Sequence, residues 1–126
     1  MAGSAVILLA HGSRDALWRR SVEAVQAQLR QTQPDVPVRC AYLELCAPTL
    51  AQAVRELAAE DAARIAIVPL FLGVGRHVRE DLPQQVQALA LEHPQLQLAL
   101  SAPVGEDARL VALLAQLAGE AALGNL

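Results

Sequence analysis

The sequence predicts an α/β protein: one four-stranded parallel sheet of order 2-1-3-4 with helices on both faces. Three observations carry this. Short apolar runs and stretches of helical spacing alternate along the 126 residues, the pattern of repeated strand-helix units. The runs are continuously apolar rather than alternating, as in parallel strands covered on both sides. No long linker interrupts the alternation, so residues 1–126 read as a single domain.

Ala5 to Ala10 is the first strand. From about Arg14 to Gln33, Trp18, Val22, Val25 and Leu29 keep helical spacing, and Pro34 and Pro37 stop the helix. Val38 to Leu45 reads as the second strand, with Pro48 in the first turn of a helix whose inward stripe is Leu50, Val54, Leu57 and Ala58. Arg64 to Leu72 is the third strand, and Pro69 inside it predicts a bulge or local irregularity, because it cannot donate to the ladder. The third helix is expected from Val78 to Glu92 with Leu82, Val86 and Leu89 inward and Pro83 tolerated near its start. Leu96 to Ala102 is the fourth strand. Glu106 to Ala118 is the fourth helix, with Leu110, Val111, Leu114 and Leu117 on its inner side, and Gly119 to Leu126 is expected to fray. Right-handed crossovers then favour the strand order of flavodoxin-like folds, in which strands one and three are neighbours.

Composition narrows the function classes. Hydrophobic residues are 54% of the chain and charged ones 18%, enough to build a core without disulfides. Ten basic against thirteen acidic residues give a net charge of -3 with no basic block, so nucleic acid is not an expected partner. Every basic side chain is Arg, which suits planar carboxylate or phosphate groups. Cys40 and Cys46, placed along one strand, read as free thiols. No apolar run reaches the roughly 18 residues of a membrane span, and the start lacks a signal-peptide pattern, so a soluble cytoplasmic protein is expected, with no membrane partner.

The chemistry centres on His11 and His77. Each lies where an apolar run gives way to a Gly-rich turn: AVILLAHGSR, and VPLFLGVGRHVRED with Gly73 and Gly75. At the carboxyl ends of neighbouring parallel strands, about 4.8 Å apart, the two imidazoles face a common cation at the switch point of the sheet. They are the candidate metal ligands. Ser13 is expected to cap the first helix beside an anion site, with Arg14, Arg76 and Arg79 as further carboxylate contacts. Glu44, expected as a buried carboxylate in the second strand, is the candidate third catalytic group, as ligand or proton acceptor. His93, at the opposite end of the sheet, is given no role. A histidine phosphatase is disfavoured because Ala10 stands where that chemistry needs an Arg before His-Gly.

Taken together, AHGSR, the Tyr42 to Pro48 segment, VPLFLGVGRHVRED and APVGEDARL resemble the short sirohydrochlorin chelatases, class II tetrapyrrole chelatases, over nearly the whole chain. These include cobaltochelatases of cobalamin synthesis and ferrochelatases of sirohaem synthesis. The resemblance implies a flavodoxin-like half-domain that forms a homodimer with a shared cleft, and insertion of a divalent metal into sirohydrochlorin. Its metal-binding histidines map onto His11 and His77, and an acidic site position onto Glu44. Cobalt is the ion expected first, iron next and nickel last. The metal is then a substrate, with no permanently bound cofactor and, lacking a His-rich tract, no metal store. A dimer that merely carries or senses metal through the same histidines is the non-enzymatic alternative.

Overall fold

The computed structural model describes residues 3–125. Strand β1 (Gly3–Ala10) leads through helix α1 (Arg20–Thr32) to β2 (Val38–Tyr42), then α2 (Leu50–Ala59), β3 (Ala62–Pro69), α3 (Arg76–Glu92), β4 (Gln97–Leu100), a 3-10 turn at Val104–Glu106 and α4 (Ala108–Ala122). All pairings are parallel and the strand order is β2-β1-β3-β4, the expected one. β1 is therefore central, flanked by β2 and β3.

Strand periodicity sorts the side chains into two layers. Ala5, Ile7 and Leu9 of β1, with Ala41, Ile65 and Ile67 beside them, join Leu50, Val54 and Leu57 of α2 and Leu82, Val86 and Leu89 of α3 in the main core. On the opposite face a smaller cluster gathers Ala10 and Tyr42 under Val22 of α1, with Cys40 and Cys46 against it. Both thiols are free. α1 packs on β1 and β2 there. Among the described residues no helix lies across Ala66, Val68 and Ala99, the half-buried residues of β3 and β4 on that side.

Several local expectations are corrected. α1 starts six residues later than the apolar spacing implied, because Asp15 to Arg19 form tight turns in which Asp15 Oδ1 accepts from the Leu17 amide at 2.9 Å. Of its expected stripe only Val22 is buried, while Trp18 and Val25 are 38% and 44% exposed, since no second helix flanks α1. β2 ends at Tyr42. Pro48 precedes α2 rather than opening it, and Thr49 caps that helix in a reciprocal capping box with Gln52. Pro69 terminates β3 in register with Leu9 instead of bulging it; the one register shift on this pairing lies at Gly3/Ser4. Pro83 is inside α3, well past its first turn. α4 runs on to Ala122, into the segment expected to fray, whose last residue Leu126 lies outside the described residues. α4 has no inner side within this chain: none of its residues is buried.

Candidate active site

The carboxyl edge of β1 and β3 is built around two close backbone contacts. After Ala10 the chain places His11 and then Gly12 at φ 108°; a Cβ on Gly12 would fall 1.8 Å from the Glu44 carbonyl oxygen, so only glycine fits. The Leu43 amide donates to Ala10 O and the Glu44 amide to His11 O, each at 3.0 Å. The segment after β2 thus stays zipped to the segment after β1, and His11 is held at the sheet's rim.

Its ring is exposed and leans on Phe71, with centroids 4.5 Å apart and planes 34° apart. Phe71 is itself 2% exposed and stands two residues past the end of β3. The imidazole therefore sits over the β1/β3 boundary, where the order of the sheet reverses and open α/β sheets bind their ligands.

His77 comes to the same edge from the other strand. It is not in a loop but is the second residue of α3, exposed, with Gly75 as N-cap. Here the amides of the first turn have no partners within the helix. Apart from the glycines themselves and their chain neighbours, no atom lies within 4 Å of where a Cβ would sit on Gly73 or Gly75, so the space beside this stretch is open.

Between α3 and the segment after β4 is a cavity of about 490 Å³, with neither imidazole in its lining. Phe71, Val78, Leu82 and Leu100 give it apolar walls, and Arg79 and Glu106 bring opposite charges to its lining. A larger cavity of about 850 Å³ runs along the outer edge of β2. There Arg39 is engaged by Glu56 at 3.5 Å and by Glu60, and burial pushes the Tyr42 phenol up to about 12, reinforced by Cys40 and Cys46.

The remaining expected residues fall out unevenly. Glu44 is exposed and lies beyond β2, so it is not the buried strand carboxylate the apolar run suggested; the turn at Leu45, φ 67°, carries the chain away from the ladder. Ser13 caps no helix, since α1 begins at Arg20; its Oγ accepts from the Asp15 amide at 3.0 Å and its carbonyl from Arg19 Nη1 at 3.2 Å. Arg76 is paired with Glu80 at 3.1 Å. Arg14 and Arg79 are exposed and make no ion pair among the described residues. His93 caps the far end of α3. No group of three or more His, Cys, Asp or Glu side chains is gathered for a metal among the described residues, so His11, His77 and Glu44 do not close into a trio within one chain. Sequence reasoning missed Phe71, which is just one more apolar residue in LFL, and Glu106, which only the VGED block pointed to.

The chain as a whole matches known proteins. The CbiX family model matches residues 5–121. Sirohydrochlorin ferrochelatase of Priestia megaterium is 32% identical over 117 residues, 92% of this chain and 44% of that protein. Sirohydrochlorin cobaltochelatase of Methanopyrus kandleri is 34% identical over 82 residues, 65% of this chain and 57% of that one. The chain spans about half the length of these relatives. The crystal structure of a CbiX protein from Marinobacter aquaeolei matches with a TM-score of 0.76 and 33% identity, covering 94% of this chain and 96% of that one.

Proposed function

This chain belongs to the CbiX family, and from that premise we propose that it inserts a divalent metal ion into sirohydrochlorin. The observation that carries the reading is the placement of two exposed imidazoles, His11 and His77, on elements that end or begin at the carboxyl edge of adjacent strands. Neutral imidazole binds a divalent cation through its nitrogen lone pair. Two such ligands leave most of the coordination sphere to water, unlike the closed four-ligand set of a structural zinc site. That suits an ion that has to be handed on.

Insertion replaces two pyrrole N–H protons with the metal ion, which sheds water as the ring nitrogens take over its coordination. Imidazole or the exposed Glu44 carboxylate accepts these protons. Sirohydrochlorin is a flat, many-carboxylate ring. Arg79, Arg14 and Arg76 supply guanidinium groups for those carboxylates, Arg76 by exchanging its Glu80 partner, and Ser13 adds a hydroxyl. The open space beside Gly73 and Gly75 admits the ring edge-on.

Cobalt is the ion we assign first, giving a product on the way to cobalamin; iron, giving sirohaem, is the alternative, and nickel ranks behind both. Imidazole ligands suit all three, so the ligand set does not choose among them. A homodimer with a shared cleft completes the proposal, because a cavity of about 490 Å³ in one chain is small for so broad a macrocycle.

The test is anaerobic incubation with sirohydrochlorin and Co(II), Fe(II) or Ni(II) in turn, followed by absorption spectra. His11→Ala and His77→Ala should each remove most of the rate above the spontaneous reaction, and His93→Ala should leave it intact. Metal binding without any ring insertion would replace this reading with the metal-carrier one. Equal losses in all three variants would remove the site assignment.

A further inference from the structure

His11 has a fixed backbone and a side chain that on its own is free to turn. The Glu44 amide, donating to the His11 carbonyl at 3.0 Å, holds the main chain at the rim. The imidazole is exposed, and exposed side chains exchange rotamers rapidly. Metal-binding imidazoles are commonly oriented by a hydrogen bond from the ring nitrogen that does not face the metal, and that bond also makes them stronger ligands. Among the described residues no side-chain hydrogen bond reaches the His11 ring. What the ring meets is Phe71, with centroids 4.5 Å apart and planes tilted by 34°. Two aromatic rings in such an offset, tilted contact attract beyond the area they cover.

Phe71 can serve as a fixed surface because its backbone is held from two directions. Pro69 ends β3, yet the Leu70 amide still donates to Leu9 O at 2.7 Å, keeping the chain against β1 up to the residue before Phe71. From the turn after β4, the Gly105 amide donates to Phe71 O at 2.9 Å. A Cβ on Gly105 would fall 1.8 Å from the Leu72 carbonyl oxygen, so this turn is pressed against the backbone directly after Phe71. The side chain itself is 2% exposed and belongs to the main core with Leu57, Ile67 and Leu82. A leucine would fill much of the same space but would present no flat face to the imidazole.

We propose that Phe71 is a positioning residue for metal capture: its ring confines the His11 imidazole, so less side-chain freedom is lost when the ion binds. The inference rests on His11 being a metal ligand, as the proposed function has it, and adds which residue sets how readily that ligand is available. Orientation by packing, with no hydrogen bond on the second ring nitrogen, readies the imidazole without raising its basicity. The ion is captured but not kept.

Co(II) alone is the probe, and the His11 ring-proton resonances are identified by their loss in His11→Ala. In the metal-free parent protein they should lie upfield of a free imidazole, displaced by the ring current of Phe71. Phe71→Leu should remove that displacement and weaken Co(II) binding about 3- to 10-fold, the usual cost of ordering one more side chain on binding. In the insertion assay the same variant should raise KM for the metal and leave kcat at saturating metal unchanged. Leu57→Ala, which cuts into the same core from α2, controls for lost stability and should change neither readout. Gly105→Ala keeps the Phe71 ring but displaces the backbone behind it, and should move the His11 resonances and weaken Co(II) binding as well. Unchanged Co(II) binding in Phe71→Leu, or an equal loss in Leu57→Ala, overturns the positioning role and leaves His11 as a ligand. Unchanged binding in His11→Ala removes the ligand assignment and the positioning role together.

Discussion

Against α2 and α3 the sheet excludes solvent from Ile7, Leu9, Ile65 and Ile67 completely, whereas on its other side α1 covers β1 and β2 and leaves Ala66, Val68 and Ala99 half-exposed. The same strands supply both faces, so the difference lies in the helices. α2 and α3 each lay a stripe of three or more buried residues on the first face; α1 contributes Val22 alone to the second and α4 contributes nothing. The buried side chains of the single chain are concentrated in one layer, and the other layer is thinly covered.

Substitutions that divide the two layers put this contrast at risk. Ile67→Ala, in the closed face, should lower unfolding free energy by about 2–5 kcal/mol in urea titrations, the usual cost of cutting a fully buried aliphatic side chain back to alanine. A loss below about 1 kcal/mol would mean that this face is not the one holding the fold. Next in size, Thr49→Ala removes the reciprocal cap of α2 and should cost about 1 kcal/mol of global stability. Asp107→Ala removes the cap of α4, where Asp107 Oδ1 accepts from the Arg109 amide at 2.8 Å. It should reduce circular-dichroism helicity while leaving the urea midpoint of the dilute protein unchanged.

The smallest effect is a titration. Tyr42, the chain's one tyrosine, lies on the α1 face, and burial raises its pKa from 10.0 to about 12. The neutral phenol is thus the favoured form in the fold; its contribution is complete below pH 10.0 and is lost as pH rises through about 12. Ultraviolet absorbance of tyrosinate should therefore appear late. A midpoint near 10 would show that α1 leaves this face open to water.

Strand order and the identities of the inward residues on α2 and α3 were legible because continuous apolar runs and helical stripes are local signals. Where reading failed, the deciding contact was distant in sequence. β2 stops at Tyr42 since the segment after it is used to hold Ala10 and His11, and nothing in AYLEL announces that pairing. The late start of α1 reflects Ser13 and Asp15 bonding locally rather than capping. Thr49 and Gln52, by contrast, carry a readable capping-box spacing that Pro48 obscured. At the site, the edge that bears His11 and His77 followed from topology. The support under His11 did not, because Phe71 becomes its neighbour only once β1 and β3 pair. For α4, helical spacing identified the helix but not the absence of a surface beneath it.

Pro83 has a consequence for the helix that carries His77. Proline lacks an amide hydrogen, so the carbonyl of Arg79 has no i+4 donor, and the turns ahead of it are joined to the remainder by one rung fewer. Val86 and Leu89 anchor the section of α3 behind that missing rung, and Leu82 anchors the section ahead of it. The turns that carry His77 are therefore held to the core through Leu82 as well as through the helix ladder.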